Sequence, residues 1–440
     1  MLTNYRPISI LPIFSKILEK VVNRQVLDYF ESNSLLKDHQ YGFRSSRGTS
    51  GAISNILDYI YTSRSNSLNT LAIFIDFSKA FDTINHEIML LKLKSYGFNE
   101  RSCDWFKNYL NGRSQRVKIN STLSEQLPIT CGVPQGSILG PTLFIIFTND
   151  MSSVLNQLKP VLYADDTNLL YSFDHLTADI IALVNEDLDR FYKWTCDNHL
   201  IINIDKTNYM TFLNNQAANI PTHLLSINKM PINQVNSTRF LGIILQDNLK
   251  WDNHVQSTLQ KIRSKVGIFK KLSQIVPTKL LILLYNCIIN SIVSYGLEFW
   301  GSTTILNTRK VLALQKRVLR IIYRQPRLSP SAPLFTQAAI LDVRKLYHLK
   351  LAAHAHTLFL SQSQSNAPTT NSSSDVISTR AAPYSFKLNK YTNTHANKLL
   401  STKSKIFWNN SIPKELRLLD TATCFRQAVK AWLLAPTDPV

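Results

Sequence analysis

The stretch Val161-Leu162-Tyr163-Ala164-Asp165-Asp166-Thr167-Asn168-Leu169-Leu170-Tyr171 decides the reading of this chain. Two apolar runs meet at a pair of aspartates, the outline of a β-hairpin with a two-residue turn. Such turns favour Asn-Gly and other glycine-containing pairs, so adjacent carboxylates there need another reason. At an apolar tip they repel each other and resist desolvation unless a cation sits with them. A third acid, Asp76, closes a similar run, Leu71-Ala72-Ile73-Phe74-Ile75. Brought side by side, these strand ends form a cluster of hard oxygen ligands suited to Mg²⁺. The chain reads as a metal-dependent enzyme.

On either side of these runs, helical and strand patterns alternate. Ile17, Leu18, Val21, Val22, Val26, Leu27 and Phe30 recur at helical spacing and predict an amphipathic helix over 15–30. A Gly/Arg/Ser-rich loop at 41–49 precedes a second helix, to about Tyr61. After the Asp76 strand, Asp82 or Thr83 can cap a helix that stops before Gly97. A shorter helix at 101–110 leads to a strand at 115–119. The chain turns at Gly132-Val133-Pro134-Gln135-Gly136, and an apolar helix follows at 139–151. Beyond the acidic hairpin, a helix at 178–199 and strands at 209–213 and 239–245 complete an α+β unit. From Trp251 onward the pattern is helical, with Val255, Leu259, Ile262, Val266 and Phe269 forming one apolar stripe.

The 440 residues exceed what one core serves, so two or three packed units are expected. Lys and Arg total 49 against 29 acids, a net charge of +20. Residues 249–330 alone hold fourteen Lys or Arg and two acids. Clustered positive charge of this kind suits a phosphate backbone. A solvated basic surface explains the charge equally well, and an anionic membrane surface is a weaker third reading. Within this stretch Lys316, Arg320 and Arg324 stand at i, i+4 and i+8 and form one cationic ridge, and Lys261 and Lys265 are further expected nucleic-acid contacts. A solvated helix face explains such ridges too.

Five scattered cysteines show no zinc-ligand spacing and imply a reducing compartment. The N-terminus lacks the layout of a signal peptide. Residues 280–297 carry no charge, yet Asn286, Asn290, Ser291 and Ser294 favour a buried helix over a bilayer span. Residues 361–378 turn to Ser, Asn, Thr and Gln, a flexible linker by composition. A small segment, 379–440, follows it.

In chain order the sequence holds Asn4-Tyr5-Arg6-Pro7-Ile8-Ser9, Gln40-Tyr41-Gly42-Phe43-Arg44 and Phe74-Ile75-Asp76-Phe77-Ser78-Lys79-Ala80-Phe81-Asp82. Then come Gly132-Val133-Pro134-Gln135-Gly136-Ser137-Ile138-Leu139-Gly140-Pro141, Tyr163-Ala164-Asp165-Asp166 and Phe240-Leu241-Gly242. Together, as far as about Arg324, these six blocks resemble the reverse transcriptases of jockey-like non-LTR (LINE) retrotransposons. Thr379-Arg380 and Trp408-Asn409-Asn410-Ser411-Ile412-Pro413 resemble the tail of such elements. The resemblance implies an α+β right-hand polymerase: partial fingers (1–70), a ferredoxin-like palm (71–248) with a fingers-contacting segment near 97–131, a basic helical thumb (249–330) and a C-terminal region (331–440).

The implied activity is RNA-directed DNA synthesis with two Mg²⁺ ions, dNTPs, an RNA template and a DNA primer. By that resemblance Asp76 and Asp165 are the shared metal ligands, and the Phe77 carbonyl adds a contact to the nucleotide-side ion. Asp166 is a weaker third ligand, since adjacent turn residues rarely aim at one point. Phe81 corresponds to the bulky residue that excludes a ribose 2′-hydroxyl, with a plain core phenylalanine as the other reading. Gln135 and Gly136 match the motif beside the nucleotide and template, where Pro134 fixes the turn. Arg44 and Arg47 lie in the loop matching the triphosphate contact, a task bidentate guanidinium groups suit. Lys206 matches the lysine that assists the leaving pyrophosphate, and a surface lysine is the alternative.

Relative to the family pattern, an endonuclease, an N-terminal extension, a Cys/His knuckle and a ribonuclease H acid set are missing. The expectation is the polymerase end of a copy truncated at its N-terminus, acting inside the cell in nucleus or cytoplasm. Two rivals stand beside it. An intron- or retron-type reverse transcriptase shares the Phe77-to-Asp82 block, but the Trp408-Asn409 tail argues for the LINE side. The other is a catalytically idle nucleic-acid-binding remnant.

Overall fold

The first apolar stripe becomes α1 (Ile13–Ser32), with Val26 and Phe30 buried. The computed structural model describes residues 8–214, 224–365, 376–377, 385–386 and 396–435. Of the Asn4–Ser9 block, residues 4–7 thus fall outside the described residues. The chain divides into two compact units, one of Met1–Ile56 and Ser67–Asn236, the other of Leu57–Asn66 and Ser237–Val440. Helix α2 (Thr49–Ser65) contributes to both.

In the first unit β1 (Asn69–Ile75) is buried at six of its seven residues, which explains its unbroken apolar run. Two helices follow, α3 (His86–Ser95) and α4 (Glu100–Leu110). Asn85, not Asp82 or Thr83, caps α3, its side chain accepting from Ile88 N. Asp82 instead ends a short 3₁₀ turn, Ala80–Asp82. Helix α5 (Gly140–Phe147) begins with Pro141 in its first turn and is buried at seven of eight positions. It stops four residues short of the expected Met151, which opens a separate 3₁₀ turn. Then come β2 (Lys159–Tyr163), β3 (Asp166–Phe173), α6 (Ala178–Asp197) and β4 (Asn208–Phe212). A two-residue strand, β5 (Asn233–Gln234), completes a sheet of order β5-β4-β1-β3-β2. Its first four strands and intervening helices form the β-α-β-β-α-β arrangement of a ferredoxin-like palm. β1 lies antiparallel between β3 and β4, so its C-terminal end sits at the centre of the sheet.

The expected strand at 115–119 is instead two short ladders, Ser114–Gln115 with Leu127–Pro128 and Lys118–Ile119 with Thr122–Leu123. The second unit opens with β6 (Ser237–Phe240) and β7 (Ile243–Gln246), a hairpin where one strand was expected over 239–245. Leu241 (φ 42°) and Gly242 (φ 82°) make its turn, both left-handed as a two-residue type I′ loop demands. Apolar residues continue across that turn and hide it in the sequence. The two compact units meet in sequence at 236/237.

Helices α7 (Asp252–Leu272), α8 (Thr278–Tyr285), α9 (Ile305–Ile322) and α10 (Val343–Ser365) follow. All five stripe residues of α7 are buried. A π-helical turn, Asn286–Asn290, interrupts the uncharged segment after α8, and among the described residues no helix is long and apolar enough to cross a membrane. α10 runs through Ser365 into the expected linker, whose remainder falls outside the described residues except for 376–377. Helices α11 (Leu400–Ser411) and α12 (Ala422–Leu434) close the chain around Trp408, which stacks on Phe359 and Phe425 at 5.5 Å each.

Candidate active site

The acids arise where β1 ends and β2 turns into β3. Tyr163 pairs with Asp166, leaving Ala164 and Asp165 as the turn residues. Ala164 takes φ 56°, a left-handed conformation that favours glycine. The last pair between β1 and β3 is Ile75 with Thr167. Asp76 thus leaves β1 at the level where Asp166 opens β3, and residues paired across strands share a face. Asp165 stands next to them in the turn.

The strand ends meet, but the tight ligand cluster expected from the sequence is not formed. Among the described residues, no three His, Cys, Asp or Glu side chains are grouped to hold a metal ion. The cation beside Asp76 is Lys206, with Nζ 3.7 Å from Asp76 Oδ2. Both side chains are solvent-accessible, so the pair adds little to stability. The donor chemistry still fits a hard divalent ion, because every candidate ligand atom is an oxygen, from three carboxylates and one backbone carbonyl.

The Asp76 backbone is fixed independently of its carboxylate. Its N–H donates to Thr207 Oγ1 (3.3 Å), and its carbonyl accepts from Asn203 N (2.8 Å). Thr207 is fully buried and its hydroxyl donates to Asn203 O (2.8 Å), which ties the Lys206 turn to the end of β1. Phe77 bridges to Ile202, and its ring enters the core 6.3 Å from Phe191.

The expected nucleotide motif lies against the segment after Asp76. Val133 N donates to Phe81 O (2.8 Å), Gly132 N to Ile84 O (2.7 Å), and Gln135 Nε2 to Asp82 Oδ1 (2.9 Å). Asp82 therefore anchors this loop. Gly132 (φ 83°) is required by contact as well as by φ, since a Cβ there would stand 2.7 Å from the Asp82 carbonyl oxygen. The Phe81 ring stacks on Phe144 at 4.6 Å and is half-buried, leaving part of it accessible. Ser9 N donates to Gln135 O (2.7 Å), so the N-terminal block crosses this turn next to Gly136.

The two arginines part company. Arg44 is 6 % exposed, grips both Glu31 oxygens (2.8 and 2.6 Å) and donates to Lys37 O (2.7 Å). Those hydrogen bonds hold the Glu31 carboxyl below its ordinary range. A contact from Arg44 to a triphosphate would require exchange of this pair with the partly exposed Glu31. Arg47 pairs with the exposed Asp38 (2.6 Å), a partner readily exchanged in water.

Sequence reading missed three supports. Buried Glu19 accepts from Ile138 N (2.7 Å) and Tyr109 Oη (3.1 Å), placing a carboxylate just ahead of α5. Buried Asp187 accepts from Gln157 N (2.7 Å) and Leu158 N (2.8 Å), holding the entry to β2. Gln40 reaches the Ala164 turn itself. The acids left no distinct signal, since Glu19 and Asp187 stand among other charged residues in their helices.

In the second unit a groove of about 880 Å³ runs between α7 and α9. Arg263 and Lys270 of α7 line it with Lys310, Lys316, Arg317 and Arg320 of α9, and no acid does. Of the cations expected to contact nucleic acid, Lys316 and Arg320 line the groove, and Lys261 and Lys265 are not among its lining residues. α9 ends at Ile322, Arg324 takes φ 53°, and its Nε donates to Ser273 O (2.9 Å) beyond α7. The helical ridge stops before it. The spacing that finds the groove is seven, in Arg263/Lys270 and in Lys310/Arg317.

Residues 2–245 match the family described as reverse transcriptase (RNA-dependent DNA polymerase). The chain belongs to the reverse transcriptase family. The chain is 28% identical over 333 residues to the probable RNA-directed DNA polymerase from transposon X-element of Drosophila melanogaster, covering 72% of this chain and 35% of the relative. It is 30% identical over 335 residues to the RNA-directed DNA polymerase from mobile element jockey of the same species, covering 73% and 36%. The chain thus spans about a third of the length of these curated relatives. Among solved structures, telomerase from Candida tropicalis in complex with a TWJ fragment of telomeric RNA matches with a TM-score of 0.42 and 14% identity. That match covers 93% of this chain and 56% of the telomerase, too loose a likeness to carry an argument.

Proposed function

We propose that this chain extends a DNA primer on an RNA template, joining dNTPs with the help of divalent magnesium. The primer 3′-hydroxyl gives up its proton to solvent as its oxygen bonds the α-phosphorus of the dNTP, the bond from that phosphorus to the bridging oxygen breaks, and pyrophosphate leaves. The observation that carries the reading is the register of β1 on β3, which ends with Asp76 level with Asp166 at the hairpin turn.

Asp76 and Asp165, with Asp166 as third candidate and the Phe77 carbonyl beside them, would hold the ions. When bound, the metal supplies Lewis-acid stabilisation of charge on the phosphate and a lower pKa for the attacking hydroxyl. The chain's own groups do the rest. Lys206, already within 3.7 Å of Asp76, offers an ammonium to the charge that grows on pyrophosphate. Of Arg44 and Arg47, Arg47 has the more exposed partner and is the readier arginine for the triphosphate. Phe81, backed by Phe144, presents a ring edge against the sugar. Gln135 and Gly136 form the neighbouring wall, held by Asp82 and Ser9. The groove between α7 and α9 takes the phosphate backbone of the primer–template.

The test is primer extension on poly(rA)/oligo(dT), with gel-shift binding measured in parallel. Asp165→Asn should lower the extension rate by about 10³-fold or more, the scale of losing several kcal/mol of metal stabilisation. Binding and the unfolding midpoint should stay near wild type. Normal extension by Asp165→Asn refutes the assignment. Binding without incorporation by the wild-type chain favours the idle remnant.

A further inference from the structure

The segment His39–Gly42 forms a strap over the turn that carries Asp165. Tyr41 N donates to Leu162 O (2.8 Å) and Leu162 N donates to His39 O (2.8 Å), a parallel bridge onto edge strand β2. Gln40 is 2% exposed, and its Oε1 accepts from both Gly42 N (2.8 Å) and Ala164 N (3.1 Å). Gly42 presses close beside it, for a Cβ there would stand 2.5 Å from Ala164 N. The amide that opens the turn is therefore fixed by one oxygen and by one absent side chain. Ala164 needs such support, because a left-handed alanine persists only where its surroundings impose it. Gln40 Nε2 is buried with no hydrogen-bond partner, an unfavourable state that an apolar residue of the same shape would avoid. What glutamine adds over such a residue is its oxygen.

We infer that Gln40 is a positioning residue for the catalytic turn, setting through Ala164 N where Asp165 and Asp166 stand relative to Asp76. It touches no substrate and acts only through the turn. The inference rests on the polymerase reading above.

The full chain is assayed on poly(rA)/oligo(dT) as wild type, Gln40→Met, Gln40→Glu and Gly42→Ala. Gln40→Met keeps the shape and loses the amide oxygen; its kcat should fall about 10–100-fold, the scale of an ångström's misplacement. KM for dTTP and duplex affinity should hold, while the Mg²⁺ concentration for half-maximal rate rises. Gln40→Glu retains the accepting oxygens and should restore most of kcat. Gly42→Ala pushes on the same amide and should reproduce the loss confined to kcat, which carries the test if Gln40→Met does not fold. Wild-type kcat in Gln40→Met or in Gly42→Ala overturns the inference. So does a rise in KM at constant kcat, or a Gln40→Glu variant as impaired as Gln40→Met. An inactive wild-type chain sinks the polymerase reading itself; an active one with an unimpaired Gln40→Met sinks this inference alone.

Discussion

Phe81 can serve two purposes with one ring, and a single substitution separates them. Its stacking on Phe144 belongs to the core, while the accessible part of the ring is what a sugar would meet. Phe81→Val removes ring volume in both roles. If the ring selects deoxynucleotides, incorporation of rNTPs relative to dNTPs should rise about 10–100-fold, the discrimination a steric pocket supplies. Single-nucleotide insertion with competing rNTP and dNTP reads this ratio directly. If the ring is core alone, the ratio holds and only stability falls, by roughly 1–3 kcal/mol for a partial cavity. Arg44 shows the opposite case, a side chain whose chemistry suits phosphate but whose guanidinium is little exposed and held by Glu31. Residue type permits a role, and exposure decides whether it is available.

At the scale of elements, the hairpin depends on how β2 is entered, and that depends on Asp187 of α6. Burial raises the cost of its charge, yet backbone hydrogen bonds from residues 156–158 and the Arg190 guanidinium outweigh burial and lower its pKa. A carboxyl with a lowered folded pKa contributes stability above its unfolded pKa, near 3.9, and loses it as pH falls through the folded value. Asp187→Asn should therefore cost about 2–3 kcal/mol at pH 7, the scale of hydrogen bonds to a charged group. Its stability should also change less than wild type as pH drops below about 4. Urea unfolding at pH 7 and at pH 3 tests both statements. Equal acid sensitivity in the two proteins would show that Asp187 is not the group responsible.

Elements legible in the sequence were those whose burial leaves a periodic mark. The α7 stripe, the run of β1 and the α1 pattern needed only side-chain spacing, and each appears within a few residues of its expected bounds. Elements set by backbone conformation were harder to read. The β6–β7 turn is made by Leu241 and Gly242 within an apolar stretch, and the α3 cap fell to Asn85 once Asp82 was taken by Gln135. In the candidate site, the acids were legible because carboxylates at strand ends are costly without a purpose. Gln40 was not, since its importance lies in two hydrogen bonds to residues that no periodicity connects.

For the whole molecule the deciding quantity is charge, +20 overall and concentrated in the second unit's helices. Charge alone cannot separate a solvated surface from a phosphate-binding one, but counterion release can. Each phosphate contact adds about 0.9 to the magnitude of the slope of log affinity against log salt for B-form DNA, with a comparable effect on other duplexes. Neutralising Arg263, Lys270 and Arg317 to glutamine removes three groove cations without touching the hairpin. If the groove holds backbone, the slope should become shallower by roughly 3 and affinity should fall most at low salt. Arg324→Gln is the internal control, because its guanidinium bonds Ser273 O rather than lining the groove. It should lower stability and leave the slope unchanged. Fluorescence anisotropy of a labelled RNA–DNA hybrid between 50 and 300 mM salt measures all of these. If the triple variant keeps the wild-type slope, or Arg324→Gln alters it as much, the phosphates lie elsewhere and the groove is only a solvated basic surface.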